Sequence, residues 1–126
     1  MSHFSTIKVQ FIDQSSLIDA LKEVGFINIK TGQLQCRGFR GNKINVEILV
    51  ELTGNYDIGF IKKENSYELI ADWWGIKNIN QDDLMKKLKQ QYSLIVTRQE
   101  LKKKGFSLKE EKLTNGTIRL VARKLG

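Results

Sequence analysis

The stretch Arg37-Gly38-Phe39-Arg40-Gly41 combines the residue types that best suit the binding of an anion. An arginine side chain presents a rigid fork of donors and stacks on aromatic rings. Two arginines that flank a phenylalanine therefore suit a planar anion or an acidic partner surface. The alternative is a glycine-bracketed turn that leads into a strand, with Phe39 in the core and both arginines in water. The residue types alone leave both interpretations open.

A carboxylate lies in a second unusual stretch, Asn55-Tyr56-Asp57-Ile58-Gly59-Phe60. Period-two alternation places the aromatic and aliphatic side chains of this strand on one face and Asp57 on the other. Asp57 can pair with Arg37 or Arg40 if their loop lies beside this strand. General acid catalysis would need a second carboxylate or a histidine nearby, and neither is evident in the sequence. We therefore predict a structural salt bridge for Asp57.

Two adjacent tryptophans occur in the stretch Ala71-Asp72-Trp73-Trp74-Gly75. Neighbouring side chains of a strand point to opposite faces, so Trp73 and Trp74 cannot both enter one core. One ring is expected at the surface, where tryptophan often dominates binding energy and a stacked arginine contributes roughly 0.5–2 kcal/mol. In the alternative, loop 75–80 or the first helix covers this ring. The candidate partner-binding residues are Arg37, Phe39, Arg40, Asp57, Trp73 and Trp74.

Patterns typical of catalytic and metal-binding sites are scarce in this chain. The single cysteine, Cys36, excludes an intramolecular disulfide and a cysteine-based metal site, and the single histidine, His3, excludes the common histidine clusters. Arg37 is expected to lower the pKa of the adjacent Cys36 thiol, but no histidine is near in sequence to activate it. The motifs of P-loop proteins, dinucleotide-binding folds, zinc peptidases and α/β-hydrolases do not occur. The sequence predicts a protein that is not an enzyme and binds no cofactor.

The chain of 126 residues has a net charge of +7 that is concentrated in its last third. Residues 81–126 hold twelve of the 21 Lys and Arg but only five of the 14 Asp and Glu. Such a surface can attract nucleic acid or an acidic protein. The alternative explanation is composition, because a chain rich in Lys, Ile and Asn and without proline is what an A/T-rich genome produces. Lys86, Lys87 and Lys89 would spread over about 160° of a helix and form no single track for phosphates.

Alternation of apolar and polar residues, together with turn residues, sets the expected elements. Seven strands are predicted at about 6–12, 26–30, 44–51, 56–62, 66–73, 106–112 and 117–124. A helix is expected at about 16–24, with a capping box of Ser16 and Asp19 and a stop at Gly25. Asn80 begins a long helical segment, for which we expect a bend or break near Ser93 because the apolar stripe is interrupted there.

These elements predict one α+β domain over residues 1–126. It has an antiparallel sheet of six or seven strands and two or three helices mainly on one face. No apolar run approaches the roughly 20 residues that a membrane span needs. The first residues show neither an apolar signal core nor an Arg/Ser-rich presequence, so we expect no targeting from this end. The side chains expected to pack the helices onto the sheet are Leu17, Leu21, Leu84, Leu88, Tyr92 and Ile95.

Several segments, in this order and over nearly the whole chain, resemble the family of small proteins called hypothetical chloroplast reading frame thirty-five. The family occurs in algal plastid genomes and in cyanobacteria. The resemblance implies a plastid setting, without an activity or catalytic residues, and it agrees with the composition and with a missing transit peptide. The segments that carry it are Met1-Ser2-His3-Phe4-Ser5-Thr6-Ile7-Lys8, Arg37-Gly38-Phe39-Arg40-Gly41, Asn55-Tyr56-Asp57-Ile58-Gly59-Phe60, Tyr67-Glu68-Leu69-Ile70-Ala71-Asp72-Trp73-Trp74-Gly75 and the Gly105-Phe106 corner with its closing hairpin.

The missing catalytic patterns and this resemblance together favour a non-catalytic accessory protein of the plastid stroma. We expect it to bind another protein, in connection with photosynthetic complexes. The alternative is an RNA- or DNA-binding module that uses the basic last third. The two differ in salt dependence, because each neutralised phosphate of a single strand adds roughly 0.7 to the log–log slope of affinity against salt.

Overall fold

The computed structural model describes residues 4–125, apart from the side chains of Val9 and Gln10. Predictions that involve Met1, Ser2 or His3 lie outside the described residues. In chain order, the elements are β1 (Ser5–Phe11), α1 (Gln14–Val24), β2 (Ile29–Arg37), a 3-10 turn (Phe39–Gly41), β3 (Lys43–Glu51), β4 (Asp57–Lys63), β5 (Ser66–Ala71), α2 (Gln81–Lys103), β6 (Phe106–Lys112) and β7 (Ile118–Lys124). The predicted α+β class is confirmed.

The described strands divide between two antiparallel sheets. Strands β1 to β5 form one sheet in the order β1-β5-β4-β3-β2, and β6 and β7 form a separate hairpin. This hairpin contacts α2. The length of α2 explains the division, because a 23-residue helix carries the chain about 35 Å before the next strand begins. The seven predicted strands are therefore present, as five in one sheet and two in the other.

The main hydrophobic core lies between the large sheet and the two helices. Leu17 and Leu21 of α1 and Leu84 and Leu88 of α2 are buried against it, as predicted. Tyr92 of α2 is half-buried, and its hydroxyl oxygen accepts hydrogen bonds of 2.9 and 3.0 Å from two backbone amides at the β1–α1 junction. Apolar burial and this polar tie together fix both helices on one face of the sheet.

The first helix begins earlier than predicted. Asp13, and not Ser16, is its N-cap, because Asp13 Oδ2 accepts hydrogen bonds from the Ser16 amide at 2.9 Å and the Ser16 hydroxyl at 2.6 Å. These bonds hold the pKa of Asp13 below its ordinary value. The predicted capping box is therefore wrong, since the Ser16 side chain already serves as a donor inside the helix. The predicted stop at Gly25 is confirmed by a left-handed φ of 120°.

The second helix is continuous over its 23 residues, so the predicted break near Ser93 is wrong. Leu94, which interrupts the apolar stripe, faces a groove that also includes Asp19 of α1 and Ile118 of β7. The apolar face of α2 therefore changes partner along its length, from the large sheet to the C-terminal hairpin. The N-cap prediction is confirmed, because Asn80 Oδ1 accepts a hydrogen bond from the Asp83 amide at 2.9 Å. Neither described helix is long and apolar enough to cross a membrane.

Strand β2 differs most from the prediction, because it begins at Ile29 and continues to Arg37, well beyond the predicted end at about residue 30. Its pairing with β3 shifts register between Thr31 and Leu34, where Gly32 has a φ of 127°. A glycine at such a position allows a β-bulge, which bends a strand and increases its twist. The polar, glycine-containing sequence of β2 therefore forms a bent edge strand.

The outer half of the β2–β3 hairpin, which is the half that includes its tip, does not pair with β4 and lies across the second face of the sheet. Pairing between β3 and β4 extends only from Glu51 back to Ile48. Beyond that point the hairpin packs over Gly59, where an added Cβ would lie 2.5 Å from Val46 Cγ1 and 3.2 Å from Cys36 Cβ. Only a glycine permits this close approach. The crossing brings the tip of the hairpin to the neighbouring ends of β4 and β5.

Candidate functional site

Two buried carboxylates lie side by side where the hairpin tip meets the sheet. Ile58 of β4 pairs with Ala71 of β5, so Asp57 and Asp72 are the next residues outward on the two strands. Asp57 is 1% exposed and Asp72 is 0% exposed. No second carboxylate near Asp57 was evident in the sequence, and Asp72 corrects that interpretation. The sequence did contain a signal for Asp72, since the predicted turn between β4 and β5 implies a register that places Asp72 beside Asp57.

Asp57 forms the predicted salt bridge, with Arg37 and not Arg40 as its partner. Arg37 Nε donates to Asp57 Oδ2 and Nη2 donates to Oδ1, each at 2.8 Å, and the Arg37 backbone amide donates to Oδ2 at 3.0 Å. The hydrogen bond with Asp57 raises the pKa of Arg37 above its ordinary value. Three charge-assisted hydrogen bonds therefore attach the end of β2 to the start of β4.

Asp72 attaches the other side of the same tip. Its Oδ2 atom accepts a hydrogen bond of 2.9 Å from the backbone amide of Phe39. Between the two attachments, Gly38 approaches the ring of Phe4 so closely that an added Cβ would lie 2.6 Å from Phe4 Cζ. Asp57 and Asp72 therefore hold the chain directly before and after Gly38.

An aromatic and cationic layer covers this buried framework. The rings of Phe39 and Trp74 make a T-shaped contact with centroids 4.9 Å apart and planes 84° apart. The Arg40 guanidinium carbon lies 5.0 Å from the Phe39 centroid, and Lys77 Nζ lies 5.8 Å from the Trp74 centroid. We call these four residues, Phe39, Arg40, Trp74 and Lys77, the tip site. No local pattern in the sequence indicated that Lys77 would join it.

Trp73 and Trp74 diverge as predicted, although they lie in a turn after β5 and not on a strand. Trp73 packs against the main core, and its Nε1 atom is buried without a hydrogen-bond partner among the described residues. Trp74 is 62% exposed, and it is therefore the surface tryptophan. Loop 75–80 leaves most of Trp74 exposed, although Lys77 of this loop lies over its ring. Gly75 of the same loop packs onto the ring of Tyr56. Five of the six candidate residues thus come together at the tip, and the sixth, Trp73, packs against the main core.

Cys36 lies beneath the tip as a buried thiol. Its Sγ atom donates a hydrogen bond of 3.3 Å to the backbone oxygen of Asp57. Burial, with a smaller contribution from the Asp57 charge, raises the pKa of Cys36 to about 12 and outweighs the opposite effect of Arg37. Arg37 does lower this pKa as expected, but burial raises it by more. Among residues 4–125, no group of three or more His, Cys, Asp and Glu side chains is arranged to hold a metal ion.

The cations of the last third are partly occupied by ion pairs within the protein. Arg98 of α2 pairs with Glu110, and Arg119 of β7 pairs with Glu111. Lys87 pairs with Asp83 one helical turn earlier, at 3.1 Å. Three of the twelve cations of the region are thus paired with carboxylates of the protein itself.

Comparison with known proteins places the chain among algal relatives. The family described as "Protein of unknown function (DUF1257)" matches residues 20–121. "Uncharacterized protein ycf35" of Cyanophora paradoxa is 33% identical over 127 residues, and the protein of the same name from Pyropia yezoensis is 29% identical over 137 residues. Each alignment covers 98% of this chain and 98% of the relative. No solved structure matches significantly.

The names of these relatives designate a plastid reading frame, which supports a plastid protein and agrees with the family resemblance in the sequence. The match of the family extends from α1 through the tip site to β7. The chain therefore belongs to the DUF1257 family of proteins of unknown function.

Proposed function

We propose that this protein is a non-catalytic accessory protein of the plastid stroma that binds another protein through the tip site. The observation that carries the proposal is Trp74, a large aromatic side chain that is 62% exposed and held edge-to-face against Phe39. Tryptophan and arginine are the residue types that most often dominate the energy of protein interfaces. Here they occur together on one short surface.

The framework under the tip site supports binding because it fixes the site before a partner arrives. Asp57 and Asp72 hold the backbone on both sides of Gly38, because they accept hydrogen bonds of 3.0 and 2.9 Å from the amides of Arg37 and Phe39. Immobilising a side chain at an interface costs about 0.5–1.5 kcal/mol. A site that is ordered on folding avoids part of this cost when it binds.

The surroundings of the rings favour a protein over a nucleic acid. Proteins that bind single strands stack bases on open aromatic faces. At the tip site, Arg40 lies over the Phe39 ring and Lys77 lies over the Trp74 ring, where a stacked base would compete with them. The ion pairs of Lys87, Arg98 and Arg119 also weaken the case for the basic last third as a phosphate-binding track.

The stromal location and the link to photosynthetic complexes rest on the family. The relatives bear the name of a plastid reading frame, and neither described helix could cross a membrane. A role in the assembly or regulation of a photosynthetic complex fits a small binding protein made in that compartment.

Site-specific photocrosslinking tests this proposal. A benzophenone amino acid replaces Trp74 in one protein and Ile12, which is 64% exposed, in the control. After irradiation in stromal extract from algal chloroplasts, we expect a discrete protein adduct at position 74 and none at position 12. Excess wild-type protein should compete for that adduct, and the Trp74→Ala protein should not. The same adducts at both positions, or none at position 74, would refute the tip site as a binding surface.

A further inference from the structure

We infer that Arg40 selects the partner by binding a carboxylate group on an acidic segment of the partner protein. This inference rests on the proposed function, because it names the chemistry that the tip site recognises. It follows from the backbone of Arg40, from its unused donors and from the charges around it.

The backbone of Arg40 occupies an unfavourable region. Its φ of 54° and ψ of 37° are left-handed values that glycine adopts at no steric cost. The next residue in the turn, Gly41, also has a positive φ, of 77°. Of these two left-handed positions, one is therefore occupied by a glycine and the other by an arginine. Glu64, in the tight turn between β4 and β5, also has a φ of 54°. Strain alone therefore does not distinguish Arg40, but it makes Glu64 a matched control.

Unused donors on a guanidinium that is held over an aromatic ring are what distinguish Arg40. Arg37, Arg98 and Arg119 each pair with a carboxylate of this chain. Arg40 and Arg123 are both exposed, and the side chain of neither makes a hydrogen bond or ion pair with the described residues, but only Arg40 of the two lies over an aromatic ring there. Its stacking on Phe39 holds the guanidinium over the ring face. A guanidinium held in this way keeps its fork of in-plane donors available for two parallel hydrogen bonds to one carboxylate.

The charges around Arg40 select an acidic partner. The two carboxylates nearest the tip, Asp57 and Asp72, are buried, and Asp57 is neutralised by Arg37. The exposed charged side chains of the tip are cations: Arg40, Lys77 and Lys43, the first residue of β3. Trp74 offers an apolar surface beside them. The segment that fits this arrangement carries a carboxylate next to a large apolar side chain.

Selection from a library of random twelve-residue peptides tests the inference without knowledge of the natural partner. Peptides that bind the immobilised wild-type protein and not the Trp74→Ala protein are synthesised, and their affinities are measured by fluorescence polarisation. Each acidic residue of a peptide is then replaced by its amide. The proteins compared are wild type, Arg40→Gly and the matched control Glu64→Gly.

We expect Trp74-dependent peptides to share an Asp or Glu beside a large apolar residue. Because Arg40→Gly removes a charge-assisted hydrogen-bonded pair, it should lower the affinity of these peptides about ten- to hundredfold. Glu64→Gly should leave their affinity unchanged. The acid-to-amide change should weaken binding to wild type by a similar factor. It should have little further effect on Arg40→Gly, since the two changes remove the same contact.

Three results would overturn the inference. Trp74-dependent peptides without acidic residues, or with affinities independent of Arg40, would show a binding surface that does not select carboxylates. Failure to obtain any Trp74-dependent peptide would also count against an acidic segment. Binding of an oligouridine single strand that Arg40→Gly abolishes, without peptide binding, would assign the site to phosphate. In the first case the crosslink at position 74 would persist, so failure of the inference and failure of the proposed function are distinguishable.

Discussion

The tips of the β2–β3 and β6–β7 hairpins both turn with the help of glycine, but they are held in different ways. The β6–β7 tip is held by its own backbone and by one side chain of the turn. The Leu113 amide donates a hydrogen bond of 2.8 Å to the Thr117 backbone oxygen. Asn115 Oδ1 accepts a second hydrogen bond, of 3.0 Å, from the Thr117 amide. The β2–β3 tip is attached to other strands, through Asp57 of β4 and Asp72 after β5.

This difference determines what each tip can present. A turn held only by local bonds leaves the cost of ordering its exposed side chains to the moment of binding. A turn held by buried carboxylates carries exposed side chains in fixed positions. The polar groups buried under Phe39 are therefore the reason why the exposed layer above them is suited to recognition. Changes to those groups should therefore affect the β2–β3 tip far more than matching changes affect the β6–β7 tip.

The largest effect is expected from Asp57→Ala. Removing the carboxylate leaves the half-buried Arg37 charge and its backbone amide without their acceptor, which should lower the free energy of unfolding by about 2–4 kcal/mol. The matched change in the other hairpin is Glu111→Ala, which breaks the exposed pair with Arg119 and should cost less than about 1 kcal/mol. Urea unfolding measures both. Equal losses would contradict the distinction between the two hairpins.

The next largest loss of stability is expected at Gly59, whose close contact with Val46 lets the hairpin cross the sheet. Gly59→Ala would place a Cβ 2.5 Å from Val46 Cγ1, and overpacking of this kind costs about 1–3 kcal/mol. The displaced hairpin should also admit a thiol reagent to Cys36, which is buried in the native protein. Thiol modification under native conditions is the measurement. A rate as slow as that of wild type would show that the outer half of the hairpin does not depend on this close approach.

The buried Cys36 thiol is expected to make the free energy of unfolding depend on pH, which is a smaller effect. The pKa of about 12 in the folded protein lies above its ordinary value, so the unfolded chain loses the thiol proton first as pH rises above about 9. The unfolded state then binds fewer protons, and the free energy of unfolding falls, by about 2 kcal/mol between pH 9 and 10.5. The raised pKa of Tyr67 acts in the same direction. Cys36→Ala should keep the tyrosine part of the slope and lose the thiol part, whereas identical slopes would contradict a buried thiol.

The regular parts of the sheet could be predicted from the sequence because their pattern and their turns agree. Strands β3, β4 and β5 begin within a residue of the predicted positions, since alternating apolar residues and short turns leave little choice of register. Strand β2 was missed in part. It lies at the edge of the sheet, with few buried side chains, and its bulge interrupts the alternation. The continuity of α2 was missed because the partner of its second half, the C-terminal hairpin, is distant in sequence.

The candidate site divides in the same way. The pairing of Asp57 with an arginine followed from residue type, and the divergence of Trp73 and Trp74 followed from alternation. Asp72 and Lys77 were missed, because their roles depend on where the hairpin tip lands after it crosses the sheet. That position is set by the Gly59 contact and the bulge at Gly32, neither of which has a recognisable pattern in a single sequence.

Whether the buried carboxylates order the tip site for binding is tested most directly by the crosslinking yield at position 74, measured with and without the Asp72 carboxylate. Asp72 is fully buried and cannot reach a partner, yet its Oδ2 atom holds the Phe39 backbone under the tip site. If the buried carboxylates order the site for binding, Asp72→Ala should lower the yield of the protein adduct several-fold. Glu64→Gly, at the unrelated β4–β5 turn, should leave it unchanged. An undiminished yield in the Asp72→Ala protein would contradict the account.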